Sequence, residues 1–99
     1  MYGTVARMKV KPGELELLQK TMQDWDAQGG TVEGAVATYV YKLDSDPNEI
    51  IMVALFQDKK TYLANADDPK TDEWFQLMRA HLEADPEWND GEVVISQQY

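Results

Sequence analysis

The chain contains no cysteine, which excludes disulfides, a thiolate nucleophile and zinc-thiolate sites. Basic residues are also scarce, with 9 Lys and Arg against 18 Asp and Glu, for a formal net charge of −9. Nucleic acid and anionic membranes are therefore not expected partners, because phosphate binding rests on clustered cations. No run approaches the roughly 18 apolar residues that a membrane helix needs. The opening MYGTVARMKVKPG lacks the basic segment and apolar core of a secretory signal, so the expected location is the cytoplasm. There is one histidine, His81, and no Gly-rich phosphate loop, no G-x-S-x-G and no cluster of metal ligands. At 99 residues the whole of 1–99 reads as one domain with a single core.

What the chain does have is aromatic and sulfur-containing bulk, with five Met, three Trp and five Tyr. Such side chains suit a core first and an adaptable apolar pocket second. Many of the acidic residues fall in connecting stretches, in DSDPNE, NADDPKTDE and EADPEWNDGE, where water solvates them.

Alternation over residues 2–10 places Tyr2, Ala6, Met8 and Val10 on one face and Val5, Arg7 and Lys9 on the other, which is strand periodicity. Pro12 and Gly13 end it. Leu15, Leu18, Met22 and Trp25 then form the apolar stripe of a helix, with Gly29 and Gly30 as its stop. Residues 35–43, AVATYVYKL, and 50–56, IIMVALF, read as two strands with bulk on both faces. The turn formers of DSDPNE join them as a hairpin. Asp58 caps a short helical turn through Lys59 to Asn65. Asp68 before Pro69 opens a second long helix, expected to run to about Ala84 with Trp74, Phe75, Met78 and Leu82 inward. NDG at 89–91 is read as a turn into a last strand, EVVISQQY.

The order strand, helix, strand, strand, helix, strand predicts an α+β ferredoxin-like βαββαβ sandwich with a four-stranded antiparallel sheet. Helices cover one face of such a sheet. The other face is about 20 by 20 Å at standard strand spacing and rise, and an apolar patch of that size rarely stays exposed on a monomer. Two copies are therefore expected to pair face to face as a two-fold homodimer.

The stretch from Glu33 to Pro69 resembles the antibiotic biosynthesis monooxygenase (ABM) family of dimeric α/β barrels. The matching features are Gly34 before the second strand, IIMVALF ending at Phe56, Asp58, the short helix KKTYLANA and Pro69 opening the long helix. The resemblance implies, according to the branch, cofactor-independent oxygenation of electron-rich phenols, haem degradation or processing of small signalling molecules. Haem-degrading relatives carry Asn on the first strand, Trp near the short helix and a His ligand on the long helix. Arg7, Asn65 and Phe75 stand at roughly those positions here, which argues against haem degradation. His81 lies about two helical turns beyond the ligand's place.

His81 is the one side chain whose unperturbed pKa lies near neutrality, and it can relay a proton or simply be a half-buried helix residue bonded to water or a carbonyl. Arg7 can fix a carboxylate or stabilise an enolate if its sheet face meets the helices, and otherwise pairs with an acid at the sheet edge. Tyr39 and Tyr41 share a strand face and can hold a quinol or pack. Asn65 and Trp74, with Met78 nearby, flank the joint of the two helical pieces, where relatives place their pocket. Asp44, Asp46 and Asn48 imitate the opening of a calcium loop, but Glu49 and Leu55 occupy the positions that need Gly and Glu, which leaves a hairpin turn. Asp67 and Asp68 read as a cap and its neighbour.

The leading expectation is a cytoplasmic homodimer that oxygenates a small aromatic or enolisable substrate without flavin, metal or other cofactor. The alternatives on the same scaffold are a non-catalytic small-molecule binding or sensing protein and a signal-degrading enzyme or isomerase.

Overall fold

In a computed structural model the structure describes residues 1–28 and 32–99, with the side chains of 26–28 set aside. The elements are β1 (Tyr2–Lys9), α1 (Leu15–Gln28), β2 (Ala35–Leu43), β3 (Asp46–Phe56), α2 (Lys59–Ala66), α3 (Pro69–Arg79) and β4 (Glu87–Glu92). The four strands form one antiparallel sheet in the order β2-β3-β1-β4. This is the expected ferredoxin-like α+β arrangement. The expected stop of α1 at Gly29 and Gly30 lies outside the described residues.

Register explains which face is covered. Ala6 pairs with Met52 and Met8 with Ile50, so their side chains share the face on which the helices lie. Met8, Val10, Leu18, Ile50, Met78 and Leu82 form the buried core there, with Leu15, Met22 and Phe75 packed against it. α1 and α3 each contribute one apolar stripe to this cluster, at the helical spacing of the sequence. The opposite face carries Val5, Arg7, Tyr39, Tyr41, Ile51 and Val53, which fall in paired rows across the sheet. Arg7 therefore points away from the helices, and its guanidinium is bound by the Glu49 carboxylate.

Three boundaries differ from the sequence reading. The hairpin is tighter than expected: β3 begins at Asp46, so most of DSDPNE belongs to the strand. Asp46 uses its carboxylate to accept from the Asn48 N–H at 2.9 Å, a local turn that needs no cation. α3 stops at Arg79, with Ala80 as its cap, rather than near Ala84. Leu82 then forms a bridge with Val10, and the Glu83 N–H donates to the Lys9 carbonyl at 2.9 Å. This spends the chain on the end of β1 before a further helical turn can form. The last strand is EWNDGE at 87–92, not EVVISQQY. NDG lies inside the ladder because Asn89, Asp90 and Gly91 face Val5, Thr4 and Gly3 across the pair, and partner strands override local turn preference.

Candidate active site

Two caps set up the joint between α2 and α3. Asp58 caps α2 by accepting from the Thr61 N–H at 2.8 Å, which holds the Asp58 carboxyl below the usual carboxylate range. Asp68 caps α3 by accepting from the Lys70 N–H at 2.9 Å, and Pro69 fills the first helical position. Between them the Asn65 carbonyl accepts from the Asp68 N–H at 3.2 Å, so the chain reverses tightly at the end of α2. The first turn of α3 reaches back to Asn65, where the Thr71 hydroxyl donates to Oδ1 at 3.0 Å.

This joint forms one wall of a cavity of about 310 Å³ lined by Trp25, Val32, Glu33, Lys60, Thr61, Asn65 and Thr71, with Ala64, Asp68 and Lys70 completing it. With Oδ1 held by Thr71, the Asn65 amide N–H groups are the donors left to meet a bound molecule, and no acceptor is assigned to them among the described residues. Trp25 supplies a flat apolar wall. It stacks on Trp74 with centroids 6.2 Å apart and planes within 10°, so Trp74 backs the wall without lining the cavity. Two cationic residues, Lys60 and Lys70, and two acidic ones, Glu33 and Asp68, are among the residues that line it.

Gly34 is what lets this wall close. Its φ is +79°, a conformation that residues with a Cβ rarely adopt, and a Cβ there would run into the Thr61 side chain. Its carbonyl accepts from the Gln57 N–H at 2.7 Å. The start of β2 is thereby held against α2, which brings Val32 and Glu33 to the cavity.

The remaining expected site residues lie elsewhere. Tyr39 and Tyr41 stand on the open sheet face, and Arg7 shares it, paired with Glu49. Met78 is buried in the core. His81 sits between the end of α3 and α1, with Nδ1 3.1 Å from the Glu14 carboxylate and Nε2 3.5 Å from the Thr21 hydroxyl. The sequence reading took Trp25 as part of the helix stripe and passed over Thr61, Thr71 and Lys60. The i, i+6 relation of Asn65 and Thr71 across a capped joint was the one available signal. Among the described residues no group of three or more His, Asp or Glu could hold a metal ion, and no helix is long and apolar enough to cross a membrane.

A four-stranded antiparallel sheet with helices on one face defines a ferredoxin-like α+β protein, and the cavity lies at the joint between two of those helices. The sequence model described as "Antibiotic biosynthesis monooxygenase" matches residues 1–77, and the chain belongs to that family. No curated protein matches. Among solved structures, a conserved protein from Methanosarcina mazei Go1 is similar at 20% identity and a TM-score of 0.80, covering 91% of this chain and 89% of that one. An antibiotic biosynthesis monooxygenase superposes with a TM-score of 0.78 at 14% identity, covering 96% and 100%. An asparagine-to-alanine mutant of SnoaB, a cofactor-independent oxygenase from Streptomyces nogalater, does so with a TM-score of 0.81 at 15% identity, covering 96% and 94%. At these identities the likeness is one of fold.

Proposed function

We propose that this chain is a homodimeric monooxygenase that acts without a cofactor on a small aromatic or enolisable compound bound beside Asn65. The observation that carries the reading is the cavity itself. Its amide donor is fixed by Thr71, its flat wall is made by Trp25, and Lys60 and Lys70 are among its lining residues. A volume of about 310 Å³ lies at the lower end of ligand pockets and suits a compound of one to three fused rings.

The residues divide the work as follows. Trp25 stacks on the ring and excludes water from one side. The Asn65 amide donates to the oxygen on which charge develops as the substrate loses a proton, and Lys60 and Lys70 favour the anion through their field. Glu33 is the proton acceptor of the cavity, since the Asp68 carboxylate is engaged in capping α3. The electron-rich anion then reacts with dioxygen. A carbon–oxygen bond forms, the oxygen–oxygen bond breaks, one oxygen stays as a carbonyl and the other leaves as water. For a methylene substrate the balance is RCH2R′ + O2 giving RCOR′ + H2O, with the substrate as its own reductant.

Oxygen uptake with anthrones and small quinols tests this. Asn65→Ala is expected to lower kcat by about 10²-fold, the usual effect of removing one oxyanion donor, with a smaller change in KM. Substrate binding without oxygen uptake in the unaltered protein would instead favour a binding or sensing role, and product formation without oxygen uptake an isomerase. The homodimer reading rests on the open sheet face, where Val5, Tyr39 and Tyr41 are exposed in adjoining rows.

A further inference from the structure

One hydroxyl on the covered face of the sheet is unpaired. Thr4 is 4% exposed, and among the described residues its Oγ1 has no hydrogen-bond partner. A buried polar group left in that state costs free energy, and Val would fill the same position of β1 without the cost. Thr4 stands opposite Asp90 in the β1–β4 pair. Above it, α2 rests on β1 through Tyr62 and Tyr2, whose ring centroids are 5.2 Å apart. The Tyr62 hydroxyl donates to the Asp90 carboxylate at 2.8 Å. Burial, followed by Asp90, raises the Tyr62 pKa to about 12, and the Thr4 hydroxyl acts on it in the opposite direction. Thr4 is therefore near enough to be felt at the Tyr62 oxygen, yet it stops short of a hydrogen bond.

The element able to close that gap is α2. None of its residues is buried, so it is held by a few named contacts rather than by the apolar core. Asp58 caps its start, Thr71 holds Asn65 near its end, and the Tyr62 ring rests on Tyr2 and Phe56. Its two faces have different neighbours. Lys60, Thr61, Ala64 and Asn65, at i, i+1, i+4 and i+5, line the cavity. On the opposite side Tyr62 reaches Asp90, and the Lys59 ammonium lies 5.8 Å from the centre of the Tyr2 ring. A molecule that fills the cavity bears on the first face and moves the second toward Thr4.

We infer that Thr4 is a positioning residue whose hydrogen bond forms when the cavity is occupied. Then α2 shifts toward β1 and the Thr4 hydroxyl donates to the Tyr62 oxygen, while the Tyr62 hydroxyl still donates to Asp90. No proton changes owner. The chain of Thr4, Tyr62 and Asp90 locks α2, and Asn65 with it, in the position that the bound molecule requires. The cost of the unpaired hydroxyl falls on the empty state and is relieved in the occupied one, and this difference between the two states is what couples the latch to binding. The inference rests on the cavity reading proposed above and adds the residue that responds to its occupation.

Anthrone and naphthol are the probes, titrated calorimetrically without oxygen so that binding is read apart from turnover. Thr4→Val keeps the shape of the side chain and removes the hydroxyl, and Tyr62→Phe removes the acceptor and keeps the ring. Thr4→Val is expected to melt at or above the parent's temperature, because the unpaired group is gone, and to bind the probes about fivefold more weakly, the scale of one hydrogen bond. Tyr62→Phe weakens binding as well. The double variant binds no more weakly than Tyr62→Phe alone, since both substitutions remove the same bond. A lower melting temperature for Thr4→Val overturns the inference, because it shows the hydroxyl bonded in the empty protein. Unchanged probe affinity overturns it too, and additive losses in the double variant overturn the pairing with Tyr62. A parent protein that binds neither probe overturns this inference and the cavity reading together. Binding with the expected pattern, but without oxygen uptake in air, overturns the oxygenase reading and leaves the latch standing.

Discussion

Single side chains decide the shape of the cavity, and Gly34 does so through its backbone. Gly34→Ala introduces a left-handed strain and a collision with Thr61, so it is expected to cost more than about 1 kcal/mol in chemical denaturation and to lower substrate affinity as well. Thr71→Val removes the hydrogen bond that fixes Asn65 while keeping the volume. It is expected to reduce kcat with the melting temperature nearly unchanged, whereas a merely structural Thr71 would shift the melting temperature and spare kcat. Tyr62 offers a test of a different kind. Its hydroxyl donates to Asp90 at 2.8 Å, and burial, followed by that bond and the charge of Asp90, pushes its pKa up from 10.0 to about 12. The folded state thus holds this proton more tightly than the unfolded chain does. Its contribution to stability is complete below pH 10 and is lost as pH rises through about 12. Denaturation midpoints followed across that window are expected to fall less steeply for Tyr62→Phe than for the parent, and equal slopes would remove Tyr62 from the alkaline transition.

At the scale of elements, the patterns that rest on periodicity and caps were legible before any coordinates. Leu15, Leu18 and Met22 do face the core, Asp58 and Asp68 do cap their helices, and Ala35–Leu43 is a strand at the expected bounds. What was not legible depends on partners distant in sequence. The NDG of β4 forms a strand only because β1 lies beside it, and α3 stops early because Leu82 and Glu83 bond to the end of β1. The site divides along the same line. Asn65 and Trp74 could be placed at the helix joint from their neighbours, and Thr71 stands six residues after Asn65 across that joint, but Trp25 meets them only through tertiary packing. Leu18 is fully buried between α1 and the sheet, so Leu18→Ala is expected to cost about 2–5 kcal/mol, measured by denaturant unfolding. A value under 1 kcal/mol would mean that α1 is not docked as described.

For the molecule as a whole, the open sheet face and the Asn65 cavity are separate features with separate tests. The first concerns assembly and the second chemistry. The face carries Arg7, Tyr39 and Tyr41 into the proposed dimer interface and away from the cavity, which explains why a cationic residue that reads as catalytic along the sequence and two tyrosines that read as substrate-binding sit apart from Asn65. Tyr39→Glu is expected to shift the chain toward monomer in sedimentation while leaving the cavity residues in place. The central claim, oxygenation of a small substrate in that cavity, is tested most directly by turnover of an anthrone under isotopically labelled dioxygen, with the product read by mass spectrometry. The account predicts one labelled oxygen per product in the intact protein and a rate lowered about a hundredfold in Asn65→Ala. Unlabelled product, or an Asn65→Ala rate equal to the parent's, would contradict it.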